Sequence, residues 1–221
     1  RLREYVARVL GCPDEKLRVI APDVGGGFGE KDTVFPEDPL IPSLAMTLDR
    51  PVKWVEDRQE NMLCLQARGH DVEIEAAVQQ DGTILGMKVM ILADLGAYFL
   101  VTTPAVPFLA AHRMAGPYKT PVMRVEVHGV ITNKPPTGPY RGAGGPEAAF
   151  CMERTMDLIA QDLNLDPVAV RRINYIPKTS FPYQSCTGNM YDSGDYDQVL
   201  DRALELAEYS DLQERKRQRK P

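Results

Sequence analysis

Residues His70–Ala97 read HDVEIEAAVQQDGTILGMKVMILADLGA, and they carry the clearest secondary-structure signal in this 221-residue chain. Two runs of alternating apolar and polar residues flank Asp81-Gly82, a pair that is typical of the turn between hairpin strands. We therefore expect two paired strands here. A further alternating stretch, Val122–Asn133, predicts another strand.

Helical spacing of apolar residues predicts several helices, and two short apolar runs predict additional strands. The helices are expected at Leu2–Cys12, Glu37–Asp49, Pro146–Asn164, Asp166–Tyr175 and Ser193–Tyr209, and the strands at Lys16–Pro22 and Arg50–Asp57. Because strands and helices mix without strict β-α-β order, the sequence predicts an α+β fold of mixed sheets with packed helices. We expect one α+β unit over residues 1–221, truncated at both ends, because the chain opens at Arg1 without a methionine and closes in a charged run.

Composition argues against several classes of protein. The formal net charge of −5 gives no reason to expect nucleic acid, and the basic tail from Arg215 to Lys220 is interpreted as a solvated helix end. No run of 18 apolar residues is present, so no membrane span is expected. The four cysteines form no CxxC pair, which favours a reduced, cytoplasmic location.

A glycine-rich loop, VGGGFGEKD, covers Val24–Asp32 and precedes a helical stretch. Glycine loses more entropy on folding than other residues, so four glycines around Phe28 indicate a special backbone path or a closely bound ligand. The spacing fits neither standard phosphate loop. Counted from Gly25, Glu30 takes the last glycine position of both the dinucleotide fingerprint and the P-loop, and Asp32 replaces the P-loop hydroxyl.

A second loop of similar composition, Tyr140–Pro146, places Arg141 among glycines just before a predicted helix. Main-chain amides and an arginine fork can both donate hydrogen bonds to an anion. The two loops therefore indicate either a site for a large anionic ligand that is approached by main chain, or a pair of tight surface turns.

The motifs, taken together and in order, resemble the molybdenum-binding subunit of the molybdenum hydroxylases, the family of xanthine oxidase, aldehyde oxidase and aerobic carbon monoxide dehydrogenase. The resemblance rests on VGGGFGEK, RPVKWVEDRQENM, RGHDVEIEAAVQQDGTILG, ITNKPPTGPYRG, PYRGAGGPEAAF, VRRINYI and YDSGDYDQVLDRAL. It covers nearly the whole chain. It implies the N-terminal part of the molybdopterin-binding region of the large subunit, with a cofactor-binding domain of the aldehyde oxidase type.

The resemblance implies a molybdopterin that carries molybdenum and that is often joined to cytosine dinucleotide in bacterial members. It implies cofactor contacts for a set of loop residues: Gly26, Gly27, Phe28, Gly29, Arg141 and Gly142. Within this set, the resemblance implies that Phe28 and Arg141 lie near the molybdenum. The base glutamate of the family lies far toward the C-terminus of the subunit, so no catalytic residue is expected in this chain, which alone would form an incomplete active site.

The reaction that the resemblance implies is hydroxylation of a carbon centre, commonly in an aldehyde or a nitrogen heterocycle, with oxygen from water. Two electrons would pass to 2Fe-2S clusters and FAD on partner domains or subunits. The implied partners are the remainder of the molybdenum subunit, the iron–sulfur and FAD subunits and a small-molecule substrate, assembled as a dimer of heteromers. A catalytically idle assembly module of the same fold and a nucleotide-binding domain are the alternatives.

Positions in the implied substrate pocket depart from the pattern of xanthine-oxidising members. Asp32 stands where they carry a glutamate, Leu109 where they carry an arginine, and Ala143 where they carry a phenylalanine that stacks on the purine. Gly142 stands where carbon monoxide dehydrogenases carry a copper-binding cysteine. The resemblance therefore implies an apolar, roomier pocket for an aldehyde or for a heterocycle larger than purine.

Overall fold

The structure is a computed structural model that describes residues 2–218. The elements in chain order are α1 (Leu2–Leu10), α2 (Glu37–Leu48), α3 (Arg58–Cys64), β1 (His70–Val78), β2 (Ile84–Gly96), α4 (Ala105–Arg113), β3 (Met123–Ile131), α5 (Gly145–Asp162), α6 (Pro167–Asn174), β4 (Tyr183–Gln184), β5 (Met190–Tyr191), α7 (Tyr196–Leu206) and α8 (Tyr209–Gln218). Short 3-10 turns lie at Asp14–Lys16, Glu30–Asp32 and Lys178–Ser180. This combination of helices with two separate sheets confirms the predicted α+β class.

The larger sheet has three strands in the order β1-β2-β3, and its first two strands form the predicted hairpin. The amide of Gln79 donates to the carbonyl of Thr83 at 2.9 Å, and Gly82 donates back to Gln79 at 3.0 Å. Gly82 has φ 89°, in the region that favours glycine, which explains the Asp-Gly signal. The smaller sheet pairs β4 with β5, with Tyr183 opposite Tyr191.

The chain divides into two compact units, each assembled from three separate segments. The first unit comprises Arg1–Asp71, Ile91–Ala110 and Val127–Glu147, and it contains both glycine-rich loops. The second comprises Val72–Met90, Ala111–Glu126 and Ala148–Pro221.

The core of the second unit is built on α5, whose apolar residues recur at helical spacing as predicted. Its buried cluster consists of Ile84, Met87, Tyr118, Met152, Met156, Ile159, Ala160 and Val170. Asn174 is buried beside this cluster: its side chain accepts from the amide of Ile84 at 2.9 Å and donates to the carbonyls of Gly82 and Val170. One buried amide group thus ties the hairpin to α6.

Two of the predicted strands are wrong. Lys16–Pro22 and Arg50–Asp57 pair with no strand in the described part of the chain. A strand needs a neighbour to satisfy its main-chain groups. The apolar residues of these runs also lack a cover, since Ile20 is 66% exposed and Val55 is 70% exposed.

Helix α2 is apolar beyond its first turn, yet none of its residues is buried. None of the helices within residues 2–218 is long and apolar enough to cross a membrane. The predicted basic helix end falls on α8, which the structure describes as far as Gln218, while Arg219 and Lys220 lie outside the described residues.

Candidate functional site

The first glycine-rich loop is shaped by two glycines that the fold itself requires. Gly26 has φ 149°, and a Cβ there would lie 2.7 Å from the ring of Phe28. Gly29 has φ 106°, and a Cβ there would lie 2.3 Å from the carbonyl oxygen of Pro139. Phe28 lies between them at φ 52° with 62% of its surface exposed. Gly26 and Gly29 therefore adopt backbone conformations that favour glycine, and the Phe28 ring between them is exposed.

The other two glycines of this loop are not explained by contacts within the chain. A Cβ on Gly25 would meet nothing within 4 Å, and one on Gly27 would make only ordinary contact with Lys31. Among residues 2–218, the amides of Gly25, Gly26 and Gly27 have no hydrogen-bond acceptor. A side-chain-free stretch with available donors is the arrangement that an anionic ligand approached by main chain would use.

The second loop turns through three consecutive residues with positive φ. These are Gly142 at 111°, Ala143 at 42° and Gly144 at 85°. Gly144 packs closely on α4, where a Cβ would lie 2.4 Å from the carbonyl oxygen of Val106. The turn is therefore fixed against the helix that carries Leu109.

The structure brings the two loops into direct contact. The main-chain amide of Arg141 donates to the carbonyl of Phe28 at 2.7 Å. The guanidinium carbon of Arg141 lies 5.6 Å from the centroid of the Phe28 ring, within the range of a cation–π contact. An exposed aromatic ring, a cation and a row of main-chain donors thus share one small region of the first unit.

Sequence reasoning missed Arg68, which contacts the second loop at two points and the helix that follows it at a third. Its Nη2 donates to the carbonyl of Arg141 at 2.9 Å, and its guanidinium carbon lies 4.9 Å from the centroid of the Tyr140 ring. Its Nε lies 4.0 Å from a carboxylate oxygen of Glu147 in the first turn of α5. No local pattern distinguishes this arginine, because its partners lie more than seventy residues away.

The segment that precedes Arg68 also supports both loops. Asn61 donates to the carboxylate of Glu30, a residue of the first loop, at 3.0 Å. The side chain of Gln66 donates to the carbonyl of Pro135 at 2.8 Å, and its main-chain amide donates to Pro136 at 3.0 Å. Sequence signals for these roles are absent for the same reason.

Two titratable groups that interact with the segments flanking the second loop have shifted pKa values. Burial holds the pKa of His70 below its ordinary value, although the nearby Glu147 carboxylate opposes this shift. A hydrogen bond from Lys134, assisted by one from Thr132, lowers the pKa of Asp94 to about 2. Asp94 is therefore a fixed anion that ties β2 to the segment before the second loop.

The predicted substrate-pocket residues lie in the same unit. Asp32 is exposed and ends the 3-10 turn, where its amide donates to Gly29 at 3.0 Å. Leu109 is half-buried on α4, and Ala143 is half-buried in the second loop. Their roles toward a substrate stay predictions, as do the cofactor contacts of the loop residues.

The described residues offer no cluster of three or more His, Cys, Asp or Glu side chains that could hold a metal ion. All four cysteines are free thiols. A bare metal ion thus finds no side-chain ligand set in this part of the chain, whereas a group that brings its own ligands could use the main-chain donors of the first loop.

Comparison with known proteins shows which family this chain resembles. Residues 1–175 match the family model described as the molybdopterin cofactor-binding domain. The carbon monoxide dehydrogenase large chain of Hydrogenophaga pseudoflava is 40% identical over 212 residues, which cover 94% of this chain and 26% of that protein. The nicotine 6-hydroxylase large subunit of Paenarthrobacter nicotinovorans is 37% identical over 90% of this chain and 25% of its own length.

Solved structures of other proteins are also similar to this chain. Quinoline 2-oxidoreductase from Pseudomonas putida 86 superposes with a TM-score of 0.91 at 34% identity, over 97% of this chain and 28% of that chain. The carbon monoxide dehydrogenase from Oligotropha carboxidovorans gives a TM-score of 0.90 at 36% identity. This chain spans about a quarter of the length of these relatives. The chain therefore belongs to the molybdopterin cofactor-binding domain family.

Proposed function

We propose that this chain is the part of a molybdenum hydroxylase large subunit that contacts the molybdopterin through its two glycine-rich loops. The observation that carries the proposal is the contact between these loops, in which the Arg141 amide donates to the Phe28 carbonyl at 2.7 Å. Residues 1–221 would act as one portion of the cofactor-binding region, with the base glutamate supplied by another portion of the same subunit.

The residues present fit such a group. Gly25 and Gly27 leave main-chain donors uncovered by side chains, so an oxygen-rich ligand can approach them closely. Arg141 adds a permanent positive charge with a planar set of donors. The molybdenum of the bound cofactor would supply the two-electron oxidation of a carbon centre.

The chain's own residues would bind and orient the cofactor. Amides fixed by the strained loop would donate to anionic oxygens without reorganisation, which is the property that makes such donors effective in a water-poor site. The Phe28 ring would exclude water from one side of the site, and Arg141 would be held over that ring. No proton transfer is assigned to residues of this chain.

For the substrate, we propose an aldehyde or a nitrogen heterocycle larger than purine. Leu109 supplies no charge, and Ala143 supplies no ring on which a purine could stack. Gly142 has no side chain with which to bind a second metal, which argues against carbon monoxide even though carbon monoxide dehydrogenases are among the relatives. The names of other relatives, nicotine 6-hydroxylase and quinoline 2-oxidoreductase, support a heterocycle.

The proposal extends to the assembly. Relatives are named as large chains or as subunits of complexes, so we propose 2Fe-2S and FAD partners, a cytosine-dinucleotide form of the pterin and a dimer of heteromers. Four free thiols suit the reducing cytoplasm.

The test uses the purified holoenzyme. Molybdenum is measured by mass spectrometry, the pterin by the fluorescence of its oxidised form, and the dinucleotide by release of cytidine monophosphate. We expect stoichiometric molybdenum in the wild type, a large loss in Arg141→Ala, and no loss in Arg124→Ala, which removes a surface arginine paired with Glu126 in the second unit. A wild-type preparation without metal and pterin would instead favour an idle assembly module.

A substrate screen then compares quinoline, nicotine, benzaldehyde, xanthine and carbon monoxide at matched concentrations. The proposal expects turnover of a heterocycle or the aldehyde to exceed that of xanthine and carbon monoxide. Preferential oxidation of xanthine or of carbon monoxide would contradict the proposed pocket while leaving the cofactor assignment intact.

A further inference from the structure

We propose that Arg68 is a positioning residue that holds the turn Tyr140–Gly145, and through it the direction of the Arg141 side chain. Only the cofactor readout of this inference rests on the proposed function. The geometric claim concerns how one side chain fixes a strained loop.

Arg68 contacts three groups at once. Its guanidinium donates to the Arg141 carbonyl at 2.9 Å and stacks over Tyr140 at 4.9 Å. The same group faces the Glu147 carboxylate at 4.0 Å. Only a planar group with several donors can stack on a ring and donate in its own plane at the same time, so lysine cannot reproduce this set.

The turn Tyr140–Gly145 needs support from outside itself. Three residues in succession have positive φ, and Ala143 among them is not glycine. Left-handed backbone is unfavourable for a residue with a Cβ, so such a conformation persists only when its surroundings determine it. Arg68 itself has φ 62°, so strain is present on both sides of this contact.

The main chain of Arg141 makes two hydrogen bonds. Its amide donates to the Phe28 carbonyl, and its carbonyl accepts from Arg68. The main chain of Arg141 is therefore fixed from both sides, and its Cα–Cβ direction is fixed with it. The first loop supplies one of these two anchors, and Arg68 supplies the other.

Arg68 also faces a nearly buried carboxylate, that of Glu147. The Glu147 side chain is only 11% exposed, and its Oε2 has no hydrogen-bond partner within residues 2–218. Arg68 supplies a positive charge beside this carboxylate, and the neighbouring His70 is kept neutral by burial. Removing the guanidinium would leave a poorly solvated anion at the start of α5, which further favours rearrangement of the turn.

The experiment compares Arg68→Gln and Arg68→Lys with a matched control, Arg3→Gln, which removes an exposed arginine paired with Asp14 in the same unit. Amide hydrogen exchange is measured on the holoenzyme and on enzyme from which the cofactor has been extracted. The reporters are the amides of Arg141, Ala143 and Gly145, each of which donates within or beside the turn. Loss of one charge-assisted hydrogen bond should speed their exchange by about tenfold or more in both Arg68 variants.

Exchange in α5 beyond Met152 serves as the folding check and should not change. Molybdenum content should fall in both Arg68 variants and stay at the wild-type level in Arg3→Gln. Tyr140→Leu, which removes the ring but keeps Arg68, should give a smaller acceleration of exchange at the same amides.

Turn amides that exchange at the wild-type rate in Arg68→Gln would overturn the inference, whatever the metal content. Faster exchange with retained metal would keep the structural role and refute the link to the cofactor. A wild type that contains no cofactor would refute the proposed function, and the exchange data on the turn would still decide the role of Arg68.

Discussion

Replacing Gly29 with alanine should separate the two glycine-rich loops, whereas the same change at Gly25 should leave them in place. A Cβ on Gly29 would lie 2.3 Å from the Pro139 carbonyl oxygen and 2.8 Å from its carbon, and both atoms are main chain. These atoms cannot rotate away, so the loops must part. The φ of 106° is also strained for any residue with a Cβ.

The expected magnitude follows from these two effects. Backbone strain of this kind costs about 1–3 kcal/mol, and overpacking costs a similar amount, so Gly29→Ala should lower the free energy of unfolding by about 2–6 kcal/mol. Gly25→Ala meets nothing within 4 Å and has no positive φ. It should change stability by less than about 1 kcal/mol, because alanine meets no clash there and restricts the unfolded chain.

The assay combines thermal unfolding, hydrogen exchange at the Arg141 amide and measurement of bound molybdopterin. Gly29→Ala should lose stability, accelerate exchange and lose cofactor together. Gly25→Ala should keep stability and exchange but lose cofactor, because its methyl group enters the space that the ligand would use. Equal loss of stability in both variants, or full cofactor in Gly25→Ala, would refute the reasoning.

Leu109→Arg should change the preference among heterocycle, aldehyde and xanthine while molybdenum content stays constant; a parallel loss of metal would contradict a pocket role. The stabilising effect of ionised Asp94, whose pKa is lowered from 3.8 to about 2, should be complete above about pH 5 and should be lost as the pH falls through about 2, so wild type and Asp94→Asn should converge in unfolding experiments over that range. Asn174→Ala should lower the free energy of unfolding by about 2–5 kcal/mol, because it leaves the Ile84 amide and the Gly82 carbonyl without their buried partner. A denaturant midpoint within error of the wild type would refute that role.

The features that could be predicted from the sequence are those that depend on neighbouring residues. The Asp81-Gly82 pair predicted the hairpin because its turn is decided by the φ of one glycine. The spacing of apolar residues predicted α5 because the helix buries one continuous face. Both features depend on residues that are close together in the chain.

The predictions that failed concern features that depend on residues far away in the sequence. Lys16–Pro22 and Arg50–Asp57 have the composition of strands, but composition does not supply a neighbouring strand. Arg68 reaches Arg141 across 73 positions of sequence, so its role could be found only in the structure. The sequence also could not tell Gly26 and Gly29, which the fold needs, from Gly25 and Gly27, which it does not.

The interleaved path of the chain has a consequence for its synthesis. The first unit requires its last segment, Val127–Glu147, before it is complete, and by then the ribosome has already made both early segments of the second, Val72–Met90 and Ala111–Glu126. These two segments must wait for Ala148–Pro221 before the second unit can finish folding. No single cut of the gene would thus give two separate domains: a cut after Glu147 keeps every segment of the first unit in one piece but divides the second.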